Sequence, residues 1–107
     1  MKATFDQKAT ALLASILSLK NMDEAKKFFR DLLSEQEIIE FSKRWQAAQM
    51  LDQKIKYTKI QKATGLSSTT IARISKWLNE GMGGYRLMID RVNEIHHRTS
   101  SAAKSLR

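Results

Sequence analysis

The chain has 107 residues, of which none is Cys or Pro and only 4 are Gly. This length predicts one domain, and a domain this small often gains stability by association, so we expect a homodimer. The absence of Cys excludes disulfides, thiolate metal sites and cysteine nucleophiles. Because Pro and Gly are typical of the turns between strands, their scarcity predicts an all-α fold.

The net charge of +8 is concentrated in one part of the chain. Residues 1–52 carry eight basic and eight acidic side chains, and residues 80–107 carry five basic and three acidic ones. Between them, residues 53–79 have no Asp or Glu and contain Lys54, Lys56, Lys59, Lys62, Arg73 and Lys76. Such a block attracts a polyanion, most commonly nucleic acid, although a solvated lysine face is the alternative.

The apolar run ATALLASILSL near the N-terminus has the length of a signal-peptide core. However, Asp6 precedes it, Ser15 and Ser18 interrupt it, and no small-residue cleavage site follows. No stretch approaches the length of a membrane span. We therefore expect a cytoplasmic protein.

Three amphipathic helices are predicted in the first half of the chain. Each begins with a capping pair three residues apart, namely Thr4 with Gln7, Asn21 with Glu24, and Ser34 with Glu37. Apolar stripes follow at helical spacing: Ala9, Leu12, Leu13 and Ile16; Ala25, Phe28, Phe29, Leu32 and Leu33; Ile38, Phe41, Trp45, Ala48 and Leu51. We expect these helices to form a scaffold, with the third ending near Asp52.

The segment KATGLSSTTIARISKWL predicts a helix, a glycine turn and a second helix. A short helix from Tyr57 to Thr64, with Ile60 and Ala63 facing inward, is expected to stop at Gly65, since glycine adopts the left-handed C′ conformation without a Cβ penalty. Leu66 then fills the joint. Ser67 or Ser68 caps the next helix, whose apolar positions are Ile71, Ile74 and Leu78, and which ends before Gly81. This is the spacing of a helix-turn-helix at about 57–79.

The second of these helices has the composition of a DNA recognition helix. Small hydroxyl side chains begin it and cations follow, and in such a helix the first turn meets base edges while cations meet phosphates. An ordinary helical hairpin is the alternative, which the acid-free basic block disfavours. The predicted DNA-binding residues are Lys54, Lys56, Tyr57, Thr58, Lys59, Lys62, Ser67, Ser68, Thr69, Thr70, Arg73 and Lys76.

A last helix is predicted from Gly84 to His97. Its expected inward face comprises Tyr85, Met88, Ile89, Val92 and either Ile95 or His96. The adjacent His96 and His97 point in different directions on a helix, so we predict no metal site there. The domain is expected to span residues 1–97, and the basic, Ser-rich residues 98–107 are expected to form a frayed tail able to contact the DNA backbone.

The segments EIIEFSKRWQAAQML, KATGLSSTTIARISKWLNEG and GYRLMIDRV, in this order, resemble the Trp repressor superfamily, in particular its YerC/YecD group. The resemblance covers roughly residues 10–93. It implies an all-helical, intertwined homodimer that presents one reading head per subunit. It also implies a transcriptional regulator, most often a repressor, that binds a near-palindromic operator in double-stranded DNA.

The resemblance weakens where the family's tryptophan co-repressor binds. Arg73 matches the arginine of the recognition helix, and the second arginine falls on Lys43 or Arg44. Ile74 and Trp77 stand where the family has small residues, so we expect them to occupy the space of the indole ring. The resemblance thus implies a possible ligand pocket at these five positions but disfavours tryptophan as the ligand, and no other cofactor is predicted.

Other classes of function fit the sequence less well than a DNA-binding regulator. The chain has no phosphate-binding glycine loop, no HExxH and no nucleophile elbow, so we predict no catalytic residues and no enzyme. A ligand-responsive regulator with a different small-molecule effector is one alternative. An RNA-binding or protein-interaction adaptor on the same dimer is another, although Tyr57 and Trp77 are the only aromatic residues in the basic block.

Overall fold

The computed structural model describes the backbone of residues 5–105 and the side chains of residues 5–98. Within this range the chain forms helices and no strand, which confirms the all-α prediction. In chain order the helices are α1 (Gln7–Leu17), α2 (Met22–Leu32), α3 (Glu35–Asp52), α4 (Tyr57–Thr64), α5 (Ser68–Glu80) and α6 (Gly84–Ser105). No helix of the described range is long and apolar enough to cross a bilayer.

Side-chain caps define where the first three helices begin. At α1 the cap is Asp6, which accepts from the N–H of Ala9 at 2.9 Å, whereas the predicted cap Thr4 lies outside the described residues. The predicted caps Asn21 of α2 and Ser34 of α3 are confirmed, accepting from the N–H groups of Glu24 and Glu37. These bonds satisfy backbone donors that an uncapped helix start leaves without a partner.

The Ser34 and Glu37 pair forms a reciprocal capping box. Ser34 Oγ accepts from the Glu37 N–H at 3.1 Å, and Glu37 Oε1 accepts from the Ser34 N–H at 2.9 Å. Hydrogen bonds from the backbone and side chain of Ser34 hold the pKa of Glu37 below its ordinary value of 4.5. The start of α3 therefore favours the charged form of this carboxylate.

The described chain divides into two compact units, the first ending at Ile39. This first unit contains α1, α2 and the beginning of α3, and neither α1 nor α2 contains a buried residue. Leu12, Leu13 and Leu32 are each more than a third exposed. The predicted apolar stripes are therefore present, but much of their surface is uncovered in the single chain.

The second unit, from Glu40 onward, contains the hydrophobic core. Its buried residues come from α3, α4, the following turn, α5 and α6: Ala47, Ala48, Leu51, Ile60, Leu66, Ile71, Ile74, Leu78 and Ile89. Ile60, Ile71 and Ile74 are fully buried, at 0% exposure. Because each such side chain contributes about 1.5–3 kcal/mol when removed from water, they fix α4 and α5 against α3.

The chain leaves α3 through a left-handed residue that is not glycine. Lys54 has a φ of 62°. Its N–H donates to the Leu51 carbonyl at 3.0 Å, and the N–H of Ile55 donates to the Met50 carbonyl at 3.1 Å. This pair of bonds is a Schellman motif, in which the left-handed position is usually glycine. The sequence gives no glycine signal here, so this turn was not predicted.

Two predictions about inward-facing residues are wrong. In α4 Ala63 is exposed and its neighbour Thr64 is buried. In α6 Ile89 is buried, but Met88 and Ile95 are 42% and 57% exposed. Helical periodicity defines an arc of the helix, whereas the position of the neighbouring helix decides which edge of that arc is covered.

The last helix is longer than predicted, since α6 continues past His97 to Ser105. No Gly or Pro interrupts residues 98–105, and two alanines favour helix there. Residues 98–105 therefore have a helical backbone where we expected a frayed tail.

Candidate nucleic-acid interface

The turn between α4 and α5 has the predicted glycine conformation. Gly65 has φ 75° and ψ 5°, and its N–H donates to the Gln61 carbonyl at 2.8 Å. A Cβ at this position would meet only the Lys43 ammonium, at 3.8 Å. The constraint on Gly65 is therefore its backbone conformation and not a lack of space.

Thr64 completes this turn from the inside. Its hydroxyl donates to the Ile60 carbonyl at 2.7 Å and accepts from the N–H of Leu66 at 3.2 Å. A buried hydroxyl costs free energy unless it is hydrogen-bonded, and both of these bonds are internal to the turn. Sequence reasoning missed Thr64, although Thr side chains are known to bond to backbone groups four residues before and two residues after them.

Ser67 is the N-cap of α5. It is one of the two serines that were predicted as candidates for this cap. Its Oγ accepts from the N–H of Thr70 at 3.1 Å and donates to Thr70 Oγ1 at 3.0 Å. Thr70 is half-buried, whereas Ser68 and Thr69 are exposed. The free hydroxyl groups at the start of α5 are thus those of Ser68 and Thr69.

The basic block forms an exposed and electrostatically unbalanced surface. Of the residues predicted to bind DNA, Thr70 is half-buried and the other eleven are exposed. Within the described residues, every ion pair is made by a cation outside the basic block, on α2, α3 or α6. The side chains available to an external anion are therefore Lys54, Lys56, Lys59, Lys62, Arg73 and Lys76.

The start of α4 adds a further feature that suits a phosphate. Lys56 is its N-cap and makes no side-chain capping bond. The first turn of α4 contains no acidic residue. Uncapped N–H groups and the positive end of the helix dipole attract anions, so Lys56, Tyr57 and Thr58 lie where a phosphate is favoured.

The five residues of the possible ligand pocket lie on α3 and α5. Lys43 approaches the turn at Gly65, as its ammonium position shows. Burial raises the pKa of the Tyr85 hydroxyl on α6 above its ordinary value of 10.0, and the positive charge of Arg44 partly opposes this increase. The Nε of Arg44 is 3.7 Å from Glu40 Oε1, and among the described residues it has no hydrogen-bond partner.

The α5 members of this set differ in burial. Ile74 is fully buried in the core, Trp77 is 43% exposed, and Arg73 is exposed. Within the single chain, only Ile74 fills interior space. His96 and His97 are exposed, and the described residues contain no group of three side chains suited to a metal ion.

A cluster of ion pairs beside the basic block was not predicted from the sequence. Arg86 Nη1 on α6 donates to Asp52 Oδ1 at 2.6 Å and to Asp90 Oδ1 at 3.3 Å. The Asp90 pair has the i, i+4 spacing of a helix, which a sequence can reveal. Asp52 is 34 positions away from Arg86, and nothing local in the sequence connects the two.

Most of the chain matches a known protein family. The family model described as Trp repressor protein matches residues 7–93. The Bacillus subtilis protein YerC, itself uncharacterised, is 41% identical over 90 residues, which are 84% of this chain and 86% of YerC.

Solved structures agree with this match. A TrpR-like protein from Eubacterium eligens has a TM-score of 0.79 at 39% identity, covering 82% of this chain and 91% of its own. A structure from Staphylococcus aureus has a TM-score of 0.79 at 32% identity, covering 86% and 96% of the two chains.

Proposed function

The chain belongs to the Trp repressor family, and from this premise we propose that it is a sequence-specific transcriptional regulator. It binds a near-palindromic DNA operator as a homodimer, without needing tryptophan, and acts as a repressor. The observation that carries this proposal is the exposed basic block around α4 and α5, whose six cations have no ion-pair partner within the described residues.

The two helices of the motif are assigned different tasks. Lys59 and Lys62 on α4 contact phosphates, which hold the protein on DNA but carry no sequence information. Ser68 and Thr69, exposed at the start of α5, contact base edges in the major groove. Arg73, one turn further along α5, contacts a phosphate next to the bases that are read.

The homodimer is supported by apolar surface that the single chain leaves uncovered. No residue of α1 or α2 is buried, and Phe41 on α3 is 49% exposed. Leu87 and Ile95 on α6 are 52% and 57% exposed. Large apolar side chains left exposed on several helices are typical of an interaction surface. A symmetric dimer places its two recognition helices about 34 Å apart, one turn of DNA.

Independence from tryptophan is supported by Ile74. This side chain is packed in the core at 0% exposure where the family resemblance expects a small residue beside the ligand. A ligand shifts a conformational equilibrium only by the difference between its affinities for the two conformations. Burial of an isoleucine contributes about 1.5–3 kcal/mol, which is of the same order as such a difference. We therefore infer that core packing holds α5 in its DNA-binding position without a co-repressor.

Selection of genomic fragments by the purified protein tests this proposal. The expected result is a near-palindromic consensus whose affinity falls steeply with salt and changes less than tenfold when tryptophan is added. Recovery of single asymmetric half-sites would exclude a dimer that binds DNA through both of its recognition helices. A tenfold or larger gain with tryptophan would exclude the constitutive form, and binding without sequence preference would favour the RNA-binding or adaptor alternative.

A further inference from the structure

A crevice lies along α5 and is not lined by Arg73, Ile74 or Trp77, the α5 residues of the possible ligand pocket. Its volume is about 260 Å³, and it is lined by the end of α3, the turn at Lys54, the start of α4, α5 and the start of α6. Its α5 wall consists of Ser75, Leu78 and Asn79, whereas Arg73 and Trp77 lie on other faces of the helix. Since a liquid water molecule takes up about 30 Å³, the space suits a molecule of roughly eight or nine non-hydrogen atoms.

The lining is mainly polar and positively charged, with a smaller apolar floor. Leu51, Ile55 and Leu78 supply the apolar side chains, and Leu51 and Leu78 are buried members of the core. Lys54 lines the same space and has no ion-pair partner within the described residues. Arg86 is the second cation. An amphipathic molecule with one negative end matches this combination.

Arg86 retains hydrogen-bonding capacity despite its two acidic neighbours. Both of its bonds, to Asp52 and Asp90, use Nη1. A guanidinium has five N–H donors arranged to hold a carboxylate with two parallel bonds. In the described part of the chain, Nη2 and Nε carry no hydrogen bond to another residue. Arg86 is shared between Asp52 and Asp90, so Lys54 is the cation of the lining that has no acidic partner within the described residues.

We propose that this crevice binds a small organic anion with an apolar end, and that its occupancy weakens DNA binding. The carboxylate is held by Lys54 and Arg86, and the apolar end covers Leu51, Ile55 and Leu78. The effect on DNA rests on the proposed function, because Lys54 and Tyr57 both line the crevice and belong to the proposed DNA surface. An anion bound to Lys54 competes with a phosphate for the same ammonium, and by linkage DNA then weakens binding of the anion equally.

Benzoate and benzamide form the first test, since they have the same number of non-hydrogen atoms and differ in charge. Binding is measured by amide chemical shifts in the absence of DNA. We expect benzoate to bind with a Kd of about 1 mM, as fits a fragment of this size. Benzamide should bind at least tenfold more weakly. Equal binding of the two compounds, or no saturable shift with benzoate, would overturn the proposal.

Variants locate the site. Lys54→Gln and Arg86→Gln should each weaken benzoate at least tenfold. Lys76→Gln is the matched control, because it removes a cation of the basic block that does not line the crevice, and it should leave the Kd unchanged. Equal losses in all three would show general attraction to a basic surface and refute a defined site. Ser75→Leu should also prevent binding by filling the space, provided that its melting temperature shows a folded protein.

Two further arms distinguish the source of the anion and separate this proposal from the previous one. Inorganic phosphate should bind more weakly than benzoate, because it cannot use the apolar floor; equal affinity would make the crevice a phosphate subsite of the DNA surface. Replacing chloride by benzoate at constant ionic strength should weaken operator binding by wild type more than by Lys54→Gln. If DNA does not bind at all, the proposed function fails while the benzoate result stands; unchanged operator affinity with bound benzoate refutes only the coupling.

Discussion

Replacing Lys54 by glycine should stabilise the protein and weaken its binding to DNA. Lys54 has a φ of 62°, and a side chain in this left-handed conformation costs about 1–2 kcal/mol that glycine does not incur. Glycine also gains entropy in the unfolded chain, which offsets about 0.4–1 kcal/mol. The expected net gain is about 0.5–1 kcal/mol, or an increase in melting temperature of roughly 2–6 °C.

The Lys54→Ala variant separates the backbone effect from the charge effect. Alanine keeps the strained conformation, so its stability should match wild type, and both variants lose the same ammonium. Thermal unfolding at fixed chain concentration should therefore rank glycine above alanine and lysine. The salt dependence of DNA binding should decrease by about 0.9 in the logarithmic slope for both variants. A glycine variant that melts below the alanine variant would refute the argument from backbone strain. An unchanged salt slope would remove Lys54 from the DNA surface.

Three further changes test other parts of the structure. Ser67→Ala should lower the free energy of unfolding by about 1 kcal/mol through loss of the α5 cap, and Ser67→Gly by less, as measured by urea denaturation. Glu37 should stabilise the fold above pH 4.5, and this contribution should be lost as the pH falls through its lowered folded-state pKa; the difference in melting temperature between wild type and Glu37→Gln should therefore shrink in acid, and a constant difference would contradict this. Lys59→Ala or Lys62→Ala should weaken binding to all DNA sequences alike, whereas Thr69→Ala should change the preferred sequence by about 1–3 kcal/mol per misread base in competition assays. The opposite pattern would mean that α5 is not the reading helix.

The sequence by itself determined where the helix-turn-helix lies. Tyr57, Thr64 and Gly65 were predicted as the start of α4, its end and the turn, and Ser67 was one of two candidates for the α5 cap; all agree with the structure. These features depend on local chemistry, since a capping hydroxyl acts on N–H groups two or three residues away and a left-handed turn favours glycine. The basic block was equally evident, because charge can be counted without coordinates.

Tertiary structure decided what depends on packing between distant segments. Periodicity placed Ala63 on the inward side of α4, whereas the position of the neighbouring helices buries Thr64 instead. Lys54 adopts a left-handed conformation because the Ile55 N–H bonds back to α3 and Ile55 packs against the core, which no residue preference reveals. Asp52 and Arg86 meet across 34 positions of sequence. Sequence patterns predict short-range hydrogen bonds and the apolar faces of helices. Long-range pairs such as Asp52 with Arg86 form only when α3, α5 and α6 are packed together.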